Sequence, residues 1–179
     1  MNRNYSSDMW DLLFGVRRSI RYHDRRERFF GLLHRLVAFS WILLGSYLAY
    51  TYNGIDESQN TTCLVLTLVL VAVSAADLAW GFAAKMALHQ QLRHEFTNLE
   101  TAIVTDSGDS RYSEYKSRRT AIESREPPKL HALDILCHNE VVAACYDGED
   151  RIAHKANVKF IHRVTSQVKA WPDIASSIN

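Results

Sequence analysis

The stretch LVAFSWILLGSYLAYTYNGI, Leu36 to Ile55, carries no charge over twenty residues, and SQNTTCLVLTLVLVAVSAA, Ser58 to Ala76, carries none over nineteen. About 20 apolar residues carry a helix across a hydrocarbon core roughly 30 Å thick, where each backbone amide must bond within its own segment. Both runs meet that length. The remaining sequence is polar enough to bring charged residues to 23% of the chain, a value typical of soluble proteins. A secretory signal would start within a few residues of Met1, whereas thirty-five residues rich in charge precede this run. A soluble fold would need a core large enough to bury two successive all-round apolar helices within 179 residues. The expected fold is therefore an all-α membrane protein: a two-helix transmembrane hairpin with an N-terminal amphipathic helix and a C-terminal cytoplasmic helical region.

The Lys and Arg bias orients the hairpin. Arg17, Arg18, Arg21, Arg25, Arg26, Arg28 and Arg35 precede the first span, while the turn Asn53 to Asn60 holds no basic residue and two acids, Asp56 and Glu57. Lys85, Arg93, Arg111, Lys116, Arg118 and Arg119 follow the second. Both termini are expected in the cytoplasm. Asn60-Thr61-Thr62 fits a glycosylation sequon but sits at a helix mouth and receives no weight.

The organisation expected is a basic amphipathic helix within 1–35, a hairpin over 36–84 with spans at about 36–55 and 60–82, and a cytoplasmic part over 85–179. In the first segment Met9, Leu13, Val16 and Ile20 recur at helical spacing, with arginines on much of the remaining circumference. Two readings stay open for Arg17, Arg18, Arg21, Tyr22, His23, Arg25 and Arg26: a lipid or regulatory patch at the membrane surface, or a nucleic-acid contact through phosphate pairing and base stacking. A net charge of +1 does not suggest a general nucleic-acid surface.

Asp77 is the one acid in the second apolar zone, and a carboxylate at mid-bilayer costs on the order of 2.5 to 3.5 kcal/mol. Folding about residues 56 and 57 sets it level with 35–37, where Arg35 and His34 are the expected partners. The group reads as a boundary charge pair or as a gate. Gly45, Ser46, Ala49, Ala72, Ser74, Ala75, Ala76 and Gly81 allow close helix approach.

Beyond the bilayer, Phe82, His89, Phe96 and Ile103, with Leu78, Lys85, Leu92 and Leu99, repeat every seven residues. Such a seam predicts a helix over 85–104 that pairs in a coiled coil or packs on the N-terminal helix. Thr105 to Ser110 reads as a loop. Further helices are expected over 112–126, ended by Pro127 and Pro128; over 129–146, with Leu130, Leu133, Cys137, Val141 and Ala144 inward; and over 150–168, capped by Asp150, burying Ile152, Ala156, Ile161, Val164 and Val168. Trp171 and Pro172 begin a tail. Cys137, His138 and Glu140, near His131, Cys145 and His154, lack paired metal-ligand spacing, so no metal or cofactor is expected. No phosphate-binding glycine loop or nucleophile elbow occurs in the sequence, and no enzyme activity is expected.

Three stretches carry a resemblance: Arg17-Arg18-Ser19-Ile20-Arg21-Tyr22-His23 before the hairpin; the helix continuing from the second span; and Ile122-Glu123-Ser124-Arg125-Glu126-Pro127-Pro128 followed by Leu133-Asp134 and Cys137-His138-Asn139-Glu140. Over about residues 8–168 the chain resembles the SMODS and SLOG-associating two-transmembrane effectors, called SLATT. The resemblance implies a bacterial inner-membrane effector of anti-phage defence that assembles as a homo-oligomer. A partner sensor, a retron reverse transcriptase or a nucleotide-second-messenger synthase, would trigger it to permeabilise the membrane. Glu123, Glu126, Pro127, Pro128, Asp134, His138, Asn139 and Glu140 are then expected to mediate cytoplasmic packing or partner contact. The alternative is a non-conducting membrane-anchored scaffold; a holin poorly explains the long cytoplasmic part.

Overall fold

The computed structural model describes residues 5–52, 57–106 and 109–169. Among the described residues seven α-helices follow in order: α1 Ser7–Tyr52, α2 Glu57–Trp80, α3 Phe82–Thr105, α4 Tyr112–Glu123, α5 His131–Cys145, α6 Gly148–Ala153 and α7 Phe160–Thr165, with a 3₁₀ turn, Asp109–Arg111, before α4. No strand occurs among the described residues. The chain divides into two compact units, residues 27–88 and residues 1–26 with 89–179.

α1 passes without a break through positions 35 and 36, where the amphipathic segment is expected to give way to the first span. Ser6 starts α1, its hydroxyl accepting the Met9 N–H at 3.3 Å, and nothing stops the helix before Tyr52. No proline lies between these points, and Gly15, Gly31 and Gly45 are all accommodated within the helix. Both α1 and the α2–α3 segment contain stretches long and apolar enough to cross a membrane, and only 6% of each stretch is buried. A soluble protein's core helix would be covered. Here Ile42, Leu68 and Leu78 stay 66%, 60% and 87% exposed, a surface suited to lipid.

Within residues 27–88 the two helices run side by side in opposite directions. Thr51 Oγ1 lies 3.4 Å from Cys63 Sγ, while at the other end His34 meets Asp77 and Lys85 Nζ sits 5.7 Å from the Phe30 ring centre. The residues joining them, 53–56, lie outside the described ones, as do the expected loop positions 107–108 and the Trp171–Pro172 tail. The span expected at 60–82 ends at Trp80 because Gly81 adopts φ +58°. Gly81 is thus a backbone break between α2 and α3 rather than a small residue for helix contact. The helix ladder is kept on both sides, Gly81 N–H bonding the Asp77 carbonyl at 2.8 Å and Lys85 N–H the Gly81 carbonyl at 3.0 Å.

In the other unit the heptad seam of α3 finds its partner in this same chain. Leu92, Phe96, Leu99 and Ile103 bury against Met9, Leu12, Leu13 and Val16 of α1, with Tyr115 and Ile122 of α4 closing the core. α4 ends at Glu123 rather than 126: Pro127 and Pro128 have no N–H to offer the Glu123 and Ser124 carbonyls, and the chain tightens into turns, Arg125 N–H bonding the Ile122 carbonyl and Glu126 N–H the Glu123 carbonyl. On α5, Leu133, Cys137 and Val141 are buried, and Ala144 is exposed against expectation. The helix expected over 150–168 is two short helices with an extended link. Asn139 accounts for the break: its Nδ2 donates to the Ala156 carbonyl at 2.8 Å and its Oδ1 accepts the Ala156 N–H at 2.9 Å, taking both groups that a helix would use there. Asp150 accordingly lies inside α6 rather than at a cap, and of the five residues expected to be buried only Ala156 is.

Candidate functional site

From Arg17 to Arg26 nearly every polar side chain of α1 finds a partner in α3, α5 or the segment beyond α4. Arg17 Nε donates to Glu100 at 2.7 Å, with its Nη1 on Cys145 Sγ at 3.8 Å. Arg18 lies 3.4 Å from Asp134, Arg25 pairs with Glu140, and Arg26 Nη1 donates to the Gln167 carbonyl at 2.7 Å. The Tyr22 hydroxyl accepts the Leu130 N–H at 3.0 Å, satisfying a donor just ahead of α5 that the helix leaves orphaned. Arg21 is half-buried and has no ion pair among the described residues. The arginines expected at lipid or nucleic acid are therefore largely committed within the chain, and their partners include Asp134 and Glu140.

The centre of this clamp is a buried polar chain. His23 is fully buried and His89 is 2% exposed, their Nδ1 atoms 2.9 Å apart. His23 Nε2 sits 2.9 Å from Glu126 Oε1, and Lys129 Nζ holds the other carboxylate oxygen at 2.8 Å. Burial would push Glu126 upward, but hydrogen bonds from His23 and Lys129 outweigh it and hold the carboxyl below its usual range. Ionised Glu126 only accepts, so His23 Nε2 carries a proton, and one further proton lies between the facing Nδ1 atoms. Burial, together with neighbouring His23 and Arg26, lowers His89 to about 4, so its ring is neutral at pH 7. Phe96 stacks on His23 at 5.6 Å between ring centres and shuts out water.

The other predicted cytoplasmic residues are packing elements. Glu123 pairs with Arg119 one turn back, Pro127 and Pro128 form the extended link, and Asn139 clasps Ala156. His138 Nε2 lies 3.1 Å from the His154 carbonyl and its ring meets Phe14 edge-on at 5.2 Å. Cys137 is buried with Tyr22 and Leu133, and burial pushes its thiol up to about 12, so it stays protonated and inert. Among the described residues no group of three or more His, Cys, Asp or Glu could hold a metal ion.

In residues 27–88 the expected Arg35–Asp77 pair is replaced. Arg35 Nε turns back to the Gly31 carbonyl at 3.2 Å, and His34 Nδ1 faces Asp77 Oδ2 at 4.0 Å. Neither that nitrogen nor Asp77 Oδ1 has a hydrogen-bond partner among the described residues, though both atoms are buried. Position 34 sits one residue earlier on α1, and 100° per residue is enough to swap which side chain faces α2. The remaining polar groups of the apolar helices are spent locally. Ser40, Ser46, Thr51, Thr67 and Ser74 each donate to the carbonyl four residues back, at 2.6 to 3.1 Å.

Compared with family models, curated proteins and solved structures, the chain matches none. The His23–His89 contact was missed by sequence reasoning, although His89 falling in register with Phe96 and Ile103 was its signal. The Asn139–Ala156 clasp had none.

Proposed function

We propose that the chain is a SLATT-type, membrane-permeabilising effector of bacterial anti-phage defence, held at rest by its cytoplasmic clamp. It is a multi-pass inner-membrane protein with a transmembrane hairpin and both termini in the cytoplasm, and it acts as a homo-oligomer without catalysing a reaction. One observation carries the reading. The arginine face clamped by α5 and the first apolar run belong to a single unbroken helix, α1, so any partner that competes for the clamp acts directly on the helix that enters the bilayer. A sensor, whether a reverse transcriptase with its nucleic acid or a nucleotide synthase, shifts this equilibrium only by its difference in affinity for the clamped and released forms. Asp77 and His34, buried atoms without hydrogen-bond partners, are the groups that hairpin repacking between copies would satisfy.

The test is inner-membrane integrity, followed by propidium entry and a potential-sensitive dye in bacteria expressing the chain at equal membrane levels. A clamp-breaking Glu126→Gln variant should depolarise cells faster than the native chain, and adding Asp77→Ala should abolish the effect. A sealed membrane in every case, even with the companion sensor triggered, would defeat the effector reading. A scaffold is then the better account, and one feature favours it: the span hydroxyls already bond their own helices, leaving little to line a hydrated path.

A further inference from the structure

Residues 151–169 contain Arg151, Lys155, Lys159, Arg163 and Lys169 and no acid. Several arginines of this unit pair with carboxylates, among them Arg17, Arg18, Arg25, Arg119 and Arg125, whereas Arg151, Lys155 and Arg163 have no ion-pair partner among the described residues. The three converge with Arg25 on an open groove of about 360 Å³. The acid lining it, Glu140, is already committed to Arg25. Beside these cations the chain exposes bulky apolar groups: Ile152 at 77%, Phe160 at 78%, Ile161 at 58% and Val164 at 63%. At about 100° per residue, Phe160, Ile161 and Val164 fall on one side of α7, and buried Ser166 continues on the other. The apolar side is therefore turned away from the body of the unit, which the Arg26–Gln167 bond holds at the end of α7.

Water alone does not favour this arrangement, and neither does a purely electrostatic partner. Unpaired cations around a groove next to exposed Phe, Ile and Val suit a surface that presents phosphates above hydrocarbon. We propose that residues 151–169 form a docking surface for anionic phospholipid, the groove taking headgroup phosphates and Phe160, Ile161 and Val164 entering the acyl boundary. Of the α1 arginines only Arg25 lines this groove, and it is already paired with Glu140. It rests on the membrane reading alone and is independent of whether the protein permeabilises anything.

The full chain is reconstituted in nanodiscs of phosphatidylcholine, with or without phosphatidylglycerol, and amide exchange is followed over 158–168. Exchange should slow at least threefold in the phosphatidylglycerol discs, and the slowing should vanish in Lys155→Glu/Arg163→Glu and in Ile161→Ser/Val164→Ser. Protection of α5 should stay the same in both variants, reporting an intact fold. Equal exchange in the two lipids would overturn the proposal, as would protection reproduced by inorganic phosphate added to phosphatidylcholine discs, which marks a phosphate site. Protection that depends on the number of copies per disc would overturn it in favour of self-association. A chain that never enters discs would remove the membrane reading as well.

Discussion

The proton between His23 and His89 sits where the clamp is least tolerant of a second charge. His89 is held at about 4 against an ordinary 6.5, by burial first and then by His23 and Arg26, with Glu126 opposing. A lowered histidine value means that folded and released forms share a neutral ring above pH 6.5. Below 6.5 the released form takes a proton that the clamped form refuses until about pH 4, so stability falls across that window and levels off beneath it. A shift of this size is worth on the order of 3 kcal/mol. Glu126, also held low, adds its loss only as pH falls through the carboxylate range. Protection of the amides over 89–103, corrected for the pH dependence of intrinsic exchange, should therefore fall between pH 6.5 and 4. His89→Phe, which cannot take the proton, should lower overall stability but flatten the part of the profile that His89 contributes; an unchanged slope would show that His89 is not the sensor. The sequence announced these residues only in part: a histidine in an apolar seam looked like a defect of the heptad, because one strand of sequence does not reveal that the facing helix supplies a second histidine.

Among the elements, the break at Gly81 is the one whose cost can be stated. A non-glycine residue at φ +58° pays roughly 1–2 kcal/mol, and asparagine pays less because its side chain bonds locally. No steric obstacle adds to this, since a Cβ at 81 would meet only the Ala84 methyl at an ordinary 3.9 Å. Gly81→Ala should speed amide exchange across 78–86 by about tenfold, with Gly81→Asn in between; equal rates for all three would mean that the chain straightens freely. Helices were legible where apolar residues spaced by three and four mark a face that is buried, as Leu92, Phe96, Leu99 and Ile103 do on α3. Boundaries were less so. The unbroken α1 escaped notice because a change from arginines to aliphatics marks a change of solvent, not of backbone. The long helix at 150–168 failed for a different reason: Asn139, distant in sequence, outbids the local helix bonds at Ala156.

For the molecule as a whole, the question is how much must be undone to release α1. Arg17–Glu100, Arg18–Asp134 and Arg25–Glu140 are part-exposed pairs, each contributing about 0.2–1 kcal/mol. The buried His23–Glu126 bond is of the charged kind, about 1.5–3 kcal/mol. Inverting a two-state population from 1:99 to 99:1 takes about 5.5 kcal/mol. No single contact reaches that figure, and the buried bond together with all three arginine pairs does so only at the upper end of these ranges, about 6 kcal/mol. The clamp is thus suited to a partner that displaces several contacts together, and unsuited to firing when one is lost by chance. Membrane leakage should follow the same arithmetic. Arg25→Ala should raise propidium entry by no more than a few-fold and Glu126→Gln by roughly tenfold to a hundredfold. Arg18→Ala/Arg25→Ala/Glu126→Gln should leak without any trigger, at matched membrane levels. If Arg25→Ala alone leaks as fully as the triple variant, the contacts do not share the load and α1 is not held by the clamp as a whole.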